Sequence, residues 1–243
     1  MDGSQAKYGR AFFWDARART PEEQVLKPIE DPNELDLPVA DAASRVGLTP
    51  EDISHALASY VRSILSGDSP YDRFVNGERT ALSAEQQAGL QIFRGKGNCM
   101  ACHVGPNFSN EKLHNTGVAW RESAERAGEF QDEGRAAITK RPEDLGAFKT
   151  PTLREVARTS PYMHDGSRAT LEDVIDFYDR GGNRNRFPDP ELHALGLTAL
   201  EKRVLLGSSD RYPGRRSDET GTPNKRAFRR PAARPRGAGS LYS

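Results

Sequence analysis

Cysteine and long apolar segments are what this sequence has least of. Only two of its 243 residues are cysteine, which excludes a framework of several disulfide bonds. No apolar run approaches the roughly 20 residues that a membrane-spanning helix needs, and the mean hydropathy is −0.75. The polar start, Met1-Asp2-Gly3-Ser4-Gln5, does not have the apolar core of a secretory signal peptide. We therefore predict a soluble chain with neither a membrane span nor a signal peptide.

The chain has no net charge, but its charged residues are unevenly distributed along the sequence. The chain has 35 Lys or Arg residues and 35 Asp or Glu residues, yet the part from Ser208 onward has nine of the former and three of the latter. This end is rich in Arg, Pro, Gly and Ser and has no apolar stripe, which predicts a disordered basic tail over residues 207–243. Aromatic residues do not interleave regularly with the arginines of 225–236. We therefore expect no nucleic-acid partner.

Helix-start signals recur along the chain, whereas strand signals are scarce. Four segments begin with a Ser or Thr that can cap a helix, followed by Pro, Glu, Asp or Gln in the first turn. They predict helices that begin at Thr20, Thr49, Ser83 and Thr170, and a fifth helix is predicted over residues 192–206. Residues 36–48 and 104–150 are predicted to be loops. The predicted fold class is mainly α with long loops.

Two of the predicted helices have a continuous apolar stripe at spacings of three and four residues, which places the apolar residues on one face of the helix. In the helix from Thr49 the stripe consists of Ile53, Ala56, Leu57, Tyr60, Val61 and Ile64. In the helix from Thr170 it consists of Leu171, Val174, Ile175 and Tyr178.

Both cysteines lie in the run Cys99-Met100-Ala101-Cys102-His103, directly after the third predicted helix. Two thiols one helical turn apart can reach the two vinyl groups on one edge of a haem, and the adjacent histidine then lies beneath the iron as its proximal ligand. We therefore predict one covalently bound c-type haem at Cys99, Cys102 and His103. Because haem is normally attached to this motif after export, the motif also indicates a periplasmic protein.

Other interpretations of these residues stay open at this point. A thioredoxin-like redox pair needs a βαβ setting that the sequence does not suggest. A zinc site could use Cys99, Cys102 and two histidines such as His103 and His114, although a second paired-ligand motif is missing. The second axial ligand of a haem is also undecided, because the place of Tyr178 at the end of an apolar stripe favours packing over ligation. The other candidates are Met100, Met163, His55, His114, His164, His193 and the remaining tyrosines.

Six segments, in the same order and spacing, resemble bacterial di-haem cytochrome c peroxidases and the MauG group. They are Phe13-Trp14-Asp15-Ala16-Arg17 with Glu23-Gln24, Asp31-Pro32-Asn33-Glu34, residues 66–74, Cys99 to His103, residues 148–154 and residues 161–166. The resemblance implies two cytochrome c-like haem domains with a site between them. It also implies reduction of hydrogen peroxide with electrons from a small cytochrome or cupredoxin.

The resemblance divides the chain into three parts. Residues 1–75 match a partial N-terminal, peroxidatic domain with a linking helix, residues 76–206 match the C-terminal haem domain, and residues 207–243 form the tail. The haem at Cys99, Cys102 and His103 is then the electron-transferring haem. The peroxidatic haem belongs to a second Cys-x-x-Cys-His upstream of the Trp14 segment, which this sequence does not contain, so we expect a truncated chain without peroxide turnover.

The resemblance also implies roles for individual residues in the first part of the chain. Trp14 matches the tryptophan that lies between the two haems and relays electrons. Gln24 and Glu34 match a pair over the open face of the peroxidatic haem, where the Glu34 carboxyl would move the peroxide proton to the leaving oxygen. Pro28 matches a proline that lines the same pocket.

In the second part, Tyr178 lies fourteen residues after His164. This is the place of the distal ligand of the electron-transferring haem, a methionine in the peroxidases and a tyrosine in the MauG group. His164 and Arg154 match partners of the haem propionates, the alternative for both being hydrogen bonds that anchor loops. Thr159 and Pro161 match carbonyl ligands of an inter-domain calcium whose upstream asparagine ligand has no counterpart here.

Two features of the family are missing from this sequence, and their absence limits the functions that we expect. MauG has a surface tryptophan shortly before the haem cysteines, and residues 94–98 contain none, so hole transfer to a protein substrate is not expected. The end of the chain lacks the final helix of the family, which suggests a shifted reading frame or an eroded terminus. Besides a peroxidase-like enzyme, the sequence leaves open a mono-haem electron-transfer module and a non-functional fragment.

Overall fold

The structure is a computed structural model that describes residues 9–123, 126–209 and 215–216. Within these residues the helices are α1 (Pro21–Glu30), α2 (Val39–Arg45), α3 (Pro50–Ser63), α4 (Pro70–Val75), α5 (Ala84–Arg94), α6 (Ala136–Thr139), α7 (Leu171–Asp179) and α8 (Ala199–Ser209). The strands are β1 (Ser66–Gly67), β2 (Leu113–His114), β3 (Trp120–Ser123), β4 (Arg126–Phe130), β5 (Phe148–Lys149) and β6 (Arg215–Arg216). They pair antiparallel as β1–β6, β2–β5 and β3–β4. The prediction of a mainly α fold with long loops is confirmed.

The four predicted helix starts are confirmed because each depends on hydrogen bonds within one turn. Thr20, Thr49, Ser83 and Thr170 each cap a helix by accepting a hydrogen bond from the backbone N–H three residues later. At Thr49, Ser83 and Thr170 the side chain of that later residue also accepts a hydrogen bond from the cap residue's N–H. Such local pairs stabilise a helix end without help from the rest of the fold.

The predicted loops contain short elements that the sequence pattern did not indicate. Residues 36–48 include α2, whose buried side chains are Val39 and Ala43. Residues 104–150 include α6 and the β3–β4 hairpin, in which the Trp120 and Phe130 rings meet edge to face at 4.9 Å between centroids. The last helix begins at Ala199 instead of Leu192. These elements are too short to show an apolar period, and packing against distant residues stabilises them.

The apolar stripe predicted for α3 faces outward within the described structure. Leu57, Tyr60 and Ile64 are 38%, 67% and 55% exposed within the described structure. The side that packs contains Ser54 and Ala58. Ser54 donates its hydroxyl to the Glu22 carbonyl of α1 at 2.9 Å. Small and polar residues therefore form the contact between α3 and α1, and the larger apolar residues lie outside it.

The main apolar core lies between α5 and α8. Phe93, Phe108, Leu197 and Leu205 are buried together, and Cys99 packs against this cluster from the end of α5. The α8 helix continues through Ser209, and β6 pairs with β1, so the predicted tail is ordered at those residues. The rest of residues 207–243 lies outside the described residues, and the boundaries at 75/76 and 206/207 remain predictions. In the described part of the chain, no helix combines the length and apolarity needed to cross a bilayer.

Candidate functional site

The Cys99–His103 segment is held in a tight turn at the end of α5. A 3₁₀ helix spans Cys99–Ala101, and the His103 N–H donates to the Cys99 carbonyl at 2.8 Å. A Cβ atom at Gly97 would lie 2.8 Å from the Ile92 carbonyl oxygen, so only glycine allows the chain to approach α5 this closely. The turn brings both thiols and the His103 imidazole to the wall of one cavity.

This cavity has a volume of about 420 Å³. Its walls come from α5, α7, α8 and the loops around β2 and β5, and they are mostly apolar. On α7, the predicted stripe faces the cavity and supplies Leu171, Val174, Ile175 and Tyr178. Phe177, on another side of α7, is fully buried and lies 5.1 Å from each of the Arg168 and Arg180 guanidinium carbons. The four residues of the stripe therefore share one face of α7, as predicted, and this face lines the cavity.

The His103 ring is oriented by a hydrogen bond from its own Nδ1. This atom lies 2.8 Å from the Phe108 carbonyl oxygen, and because a carbonyl can only accept, Nδ1 carries the proton. Burial lowers the pKa of His103, although backbone carbonyls of Phe108 and Pro151 oppose the shift. The imidazole is therefore neutral, with an unprotonated Nε2, which is the form that binds a metal.

Tyr178 places a phenol in the same cavity as the two thiols and His103. Burial raises the pKa of Tyr178 to about 12, the nearby Cys102 and Cys99 add to the rise, and a hydrogen bond with the Thr116 side chain opposes it. The phenol is thus protonated at neutral pH in the protein alone. A cation in the cavity would favour the phenolate, since an adjacent positive charge stabilises the ionised form.

Both cysteine side chains stay protonated as thiols at neutral pH in this cavity. Burial raises the pKa of Cys99 to about 12 and that of Cys102 to about 11, and the carboxylates of Asp189 and Glu191 add to the second shift. A redox-active pair needs a lowered thiol pKa. Within the described residues, no three or more His, Cys, Asp or Glu side chains are grouped to hold a metal ion. The geometry therefore favours neither the thioredoxin-like nor the zinc interpretation.

His114 lies beside Cys102, and both of its ring nitrogens are hydrogen-bonded. Its Nδ1 lies 2.7 Å from Asp189 Oδ2, and its Nε2 lies 3.1 Å from Asn110 Nδ2. Asn110 Oδ1 accepts from the Lys112 N–H at 2.9 Å, which orients the amide so that it donates to His114. Because Nδ1 donates and Nε2 accepts, this histidine is not free to bind iron. It is instead positioned next to the Cys102 thiol, with Nδ1 3.7 Å from Sγ.

Trp14 and His164 meet near one end of the cavity wall, and both line it. Their rings lie edge to face at 6.3 Å, and the His164 ring stacks on Phe148 at 3.7 Å. Trp14 is 42% exposed, so it joins the cavity wall to the surface. The His164 side chain is 8% exposed, burial lowers the pKa of the ring, and Asp132 lies 3.8 Å from Nε2. Within the described residues, Nε2 has no hydrogen-bond partner.

Arg154 is placed outside the cavity wall. Its two terminal guanidinium nitrogens donate to the two Asp72 carboxylate oxygens at 2.8 Å each, and its Nε donates to the Pro106 carbonyl at 2.8 Å. This geometry favours the alternative in which Arg154 anchors a loop to α4, and it lends no support to the predicted contact with a propionate.

The remaining predicted residues do not converge on this cavity. Gln24 is half-buried on α1, and Glu34 is exposed in the turn that follows α1. Pro28 lies inside α1. None of these three residues lines the cavity. Thr159 and Pro161 are part of the wall. The roles implied for all five by resemblance remain predictions.

Sequence reasoning missed Lys149, Asp189 and Thr116. Lys149 lies inside one of the six resembling segments, so a signal existed, but no role was attached to it. Asp189 and Thr116 reach the site only through contacts with residues distant in sequence, His114 and Tyr178. Such contacts leave no local pattern.

Comparison with known proteins places the chain among haem enzymes. No family model matches it. A solved structure described as a MauG-like protein associated with microbial copper homeostasis superposes with a TM-score of 0.72 at 30% identity, covering 83% of this chain and 69% of that one. The chain belongs to the di-haem cytochrome c peroxidase and MauG family. The solved di-haem peroxidase BthA from Burkholderia thailandensis has the same fold, with a TM-score of 0.60 over 82% of this chain and 65% of that one, at 23% identity.

Curated relatives of this peroxidase and MauG family match in sequence as well. Cytochrome-c peroxidase IdrP2 of Denitromonas iodatirespirans is 37% identical over 178 residues, which are 65% of this chain and 47% of the relative. Methylamine utilization protein MauG of Methylorubrum extorquens is 30% identical over 217 residues, 82% of this chain and 60% of the relative. The chain thus spans about half of the length of the relatives that it matches.

Relatives that are di-haem peroxidases imply haem c, and the cavity fits that group. Haem c needs two adjacent thiols, a neutral imidazole, an apolar enclosure and a second axial group. The cavity wall contains Cys99, Cys102, His103 and Tyr178, and most of its other residues are apolar. These residues therefore suit haem c, and they are the ones that would hold it.

Proposed function

We propose that this chain carries the electron-transferring haem c of a periplasmic, cytochrome c peroxidase-like enzyme. Such an enzyme reduces hydrogen peroxide with electrons from a small cytochrome or cupredoxin. The observation that carries the proposal is that Cys99, Cys102, His103 and Tyr178 line a single apolar cavity in a chain of this family. Bound there, a haem would supply a reversible one-electron centre.

The residues of the chain have separate tasks in this proposal. The two thiols would attach the haem covalently, and His103 would bind its iron through Nε2, because its Nδ1 is held by the Phe108 carbonyl. Tyr178 would supply the second protein ligand of the iron. The leucines, Val174 and Ile175 exclude water from the cavity. Exclusion of water matters because solvent exposure and net charge both set the reduction potential of such a centre.

Trp14 is proposed to carry electrons away from this domain. It combines contact with the cavity wall, through His164 and Phe148, with an exposed face. Gln24 and Glu34 lie on and just after α1, away from the cavity. We assign them to the peroxide chemistry at a second haem, with Glu34 as the proton carrier.

A mono-haem electron-transfer module is the second candidate. The observation that favours it is the single Cys-x-x-Cys-His run in the 243 residues. A module of this kind would exchange electrons with a partner protein but would not turn over peroxide. In either proposal, calcium binding at Thr159 and Pro161 is secondary. Only these two of the protein ligands that the resemblance implies are present in the sequence.

The test is a haem count combined with a peroxide assay. The chain, exported with a cytochrome c maturation system, is expected to carry one covalent haem by the pyridine haemochrome assay. Cys102→Ser should leave one thioether and move the reduced α band to longer wavelength, whereas Met100→Leu, inside the same motif, should change neither. A chain without covalent haem would contradict the proposal. Rapid peroxide turnover by a chain with one haem would contradict the proposal that electron transfer and peroxide chemistry belong to two separate haems.

A further inference from the structure

Few charged side chains line the cavity. Asp189 Oδ2 lies 2.7 Å from His114 Nδ1, which lies 3.7 Å from Cys102 Sγ, and Glu191 accepts a hydrogen bond from the side chain of Asn98, the neighbour of Cys99. Among the described residues that line the cavity, Lys149 is the one lysine or arginine. A haem held by its vinyl edge at Cys99 and Cys102 turns its two carboxylates toward the other edge of the ring. Electrostatic repulsion from Asp189 and Glu191 disfavours carboxylates beside Cys102, and Lys149 would attract them.

Lys149 is firmly placed but has no close counter-charge. It lies in β5, paired with Leu113 of β2, and its N–H donates to the Trp14 carbonyl at 2.7 Å. Burial lowers the pKa of its ammonium group, and the charge of Glu111 opposes the shift. In the part of the chain that the structure describes, no carboxylate oxygen forms an ion pair with this ammonium group. A partly buried ammonium of this kind is costly unless an anion accompanies it.

His164 provides a second observation in the cavity wall. It too lines the wall, and it stacks on Phe148, the neighbour of Lys149 in β5. Its Nε2 is buried with no hydrogen-bond partner within the described structure. Buried polar atoms are nearly always hydrogen-bonded in proteins. Asp132 Oδ2 lies 3.8 Å from Nε2, which is beyond hydrogen-bond distance. Nε2 is therefore left to bind an acceptor in the cavity, as the Lys149 ammonium group is.

We propose that Lys149 and His164 form the carboxylate-binding end of this cavity, where Lys149 pairs with a haem propionate and His164 donates a hydrogen bond to it. The inference rests on the proposed function, because the ligand is the haem that Cys99, Cys102 and His103 hold. It assigns to Lys149 the charge-pairing role that resemblance implied for Arg154. It also places one propionate beside the backbone of Trp14, the proposed electron relay.

The role can be tested by replacing the lysine without disturbing β5. Lys149→Met keeps the aliphatic stem and removes the charge. Since a nearby cation stabilises the reduced, less positive iron centre, this change should lower the reduction potential of the haem. The propionate bending band in the resonance Raman spectrum should shift as well, because the propionate loses its ion pair. Lys149→Arg should preserve the potential and the band.

Two control variants test whether the effect is specific to the charge of Lys149. Lys27→Gln removes an exposed lysine on α1 and should leave the potential unchanged. Glu111→Gln keeps the Lys149 charge and should also leave the propionate band unchanged, whereas a shift equal to that of Lys149→Met would show that the band does not report an ion pair with Lys149 and would overturn the proposal. An unaltered potential and band in haem-loaded Lys149→Met would overturn it too. If the parent chain carries no covalent haem, the proposed function and this inference both fail.

Discussion

At the scale of single residues, the proposed binding of the haem iron by Tyr178 can be tested, because tyrosine and methionine ligands have opposite effects on a haem. A phenolate stabilises the oxidised iron, and a thioether stabilises the reduced iron. Tyr178→Met should therefore raise the reduction potential, and Tyr178→Phe should leave an open axial position with a high-spin spectrum. Tyr60→Phe removes the same hydroxyl group from an exposed site on α3 and should change neither property. An unchanged low-spin spectrum in Tyr178→Phe would contradict ligation by this tyrosine.

Arg154 can be tested for the anchoring role that its contacts indicate. Arg154→Met removes two charge-assisted hydrogen bonds to Asp72, which should cost about 2 kcal/mol of unfolding free energy. The haem potential should not change, because Arg154 does not line the cavity. Arg141→Met breaks a similar but exposed pair with Asp144 and should have little effect. A shift in potential without loss of stability would restore the propionate role.

The same pair predicts a pH dependence. Burial alone would raise the pKa of Asp72, but hydrogen bonds from Arg154 and Ser69 outweigh it, so the pKa lies below its ordinary value of 3.8. A lowered pKa in the folded state adds stability that is present above 3.8 and is lost as the pH falls through the folded value. The difference in urea stability between the parent and Arg154→Met should therefore shrink in acid. A constant difference would indicate that the Asp72 charge is not involved.

At the scale of elements, helices with local caps were predictable and short elements were not. Thr49 and Thr170 signal their helices within four residues of sequence. By contrast, α2 buries only Val39 and Ala43, and β2 reaches β5 through the pairing of Leu113 with Lys149, which lie far apart in the chain. No local pattern reports such contacts. The cysteine motif was predictable for the same local reason, whereas the roles of Asp189 and Lys149 emerge only in three dimensions.

The apolar period of a helix did not reveal what each face contacts. The stripe of α7 lines the cavity, and the stripe of α3 is exposed, although the two patterns look alike in sequence. Burial on α3 can be checked directly. Ala58→Leu overfills the contact with α1 and α2 and should cost about 1–3 kcal/mol, whereas Tyr60→Ser should change the free energy of unfolding by less than about 0.5 kcal/mol. The reverse order in chemical denaturation would mean that the stripe of α3 is the packed face.

At the scale of the whole molecule, the size of the cavity predicts that stability depends on bound haem. Phe93, Leu205 and the apolar side chains of α7 line the cavity, so a haem bound there would complete the packing of α5, α7 and α8. A cavity costs about 24 cal/mol per Å³. For about 420 Å³ this is about 10 kcal/mol as an upper bound, because the walls can partly collapse. Whole domains are stable by only about 5–15 kcal/mol.

Without haem, the chain is therefore expected to keep its helices but lose fixed packing around the cavity. The double variant Cys99→Ala, Cys102→Ala should retain far-ultraviolet circular dichroism, lose near-ultraviolet signal and unfold with a broad transition, as expanded compact states do. Met100→Ala, which keeps both thiols, should unfold sharply like the parent. A sharp transition at the parent's urea midpoint in the double variant would show that the core folds independently of haem. The haem would then be an electron carrier bound to a domain that folds without it, and it would not be part of the core of that domain.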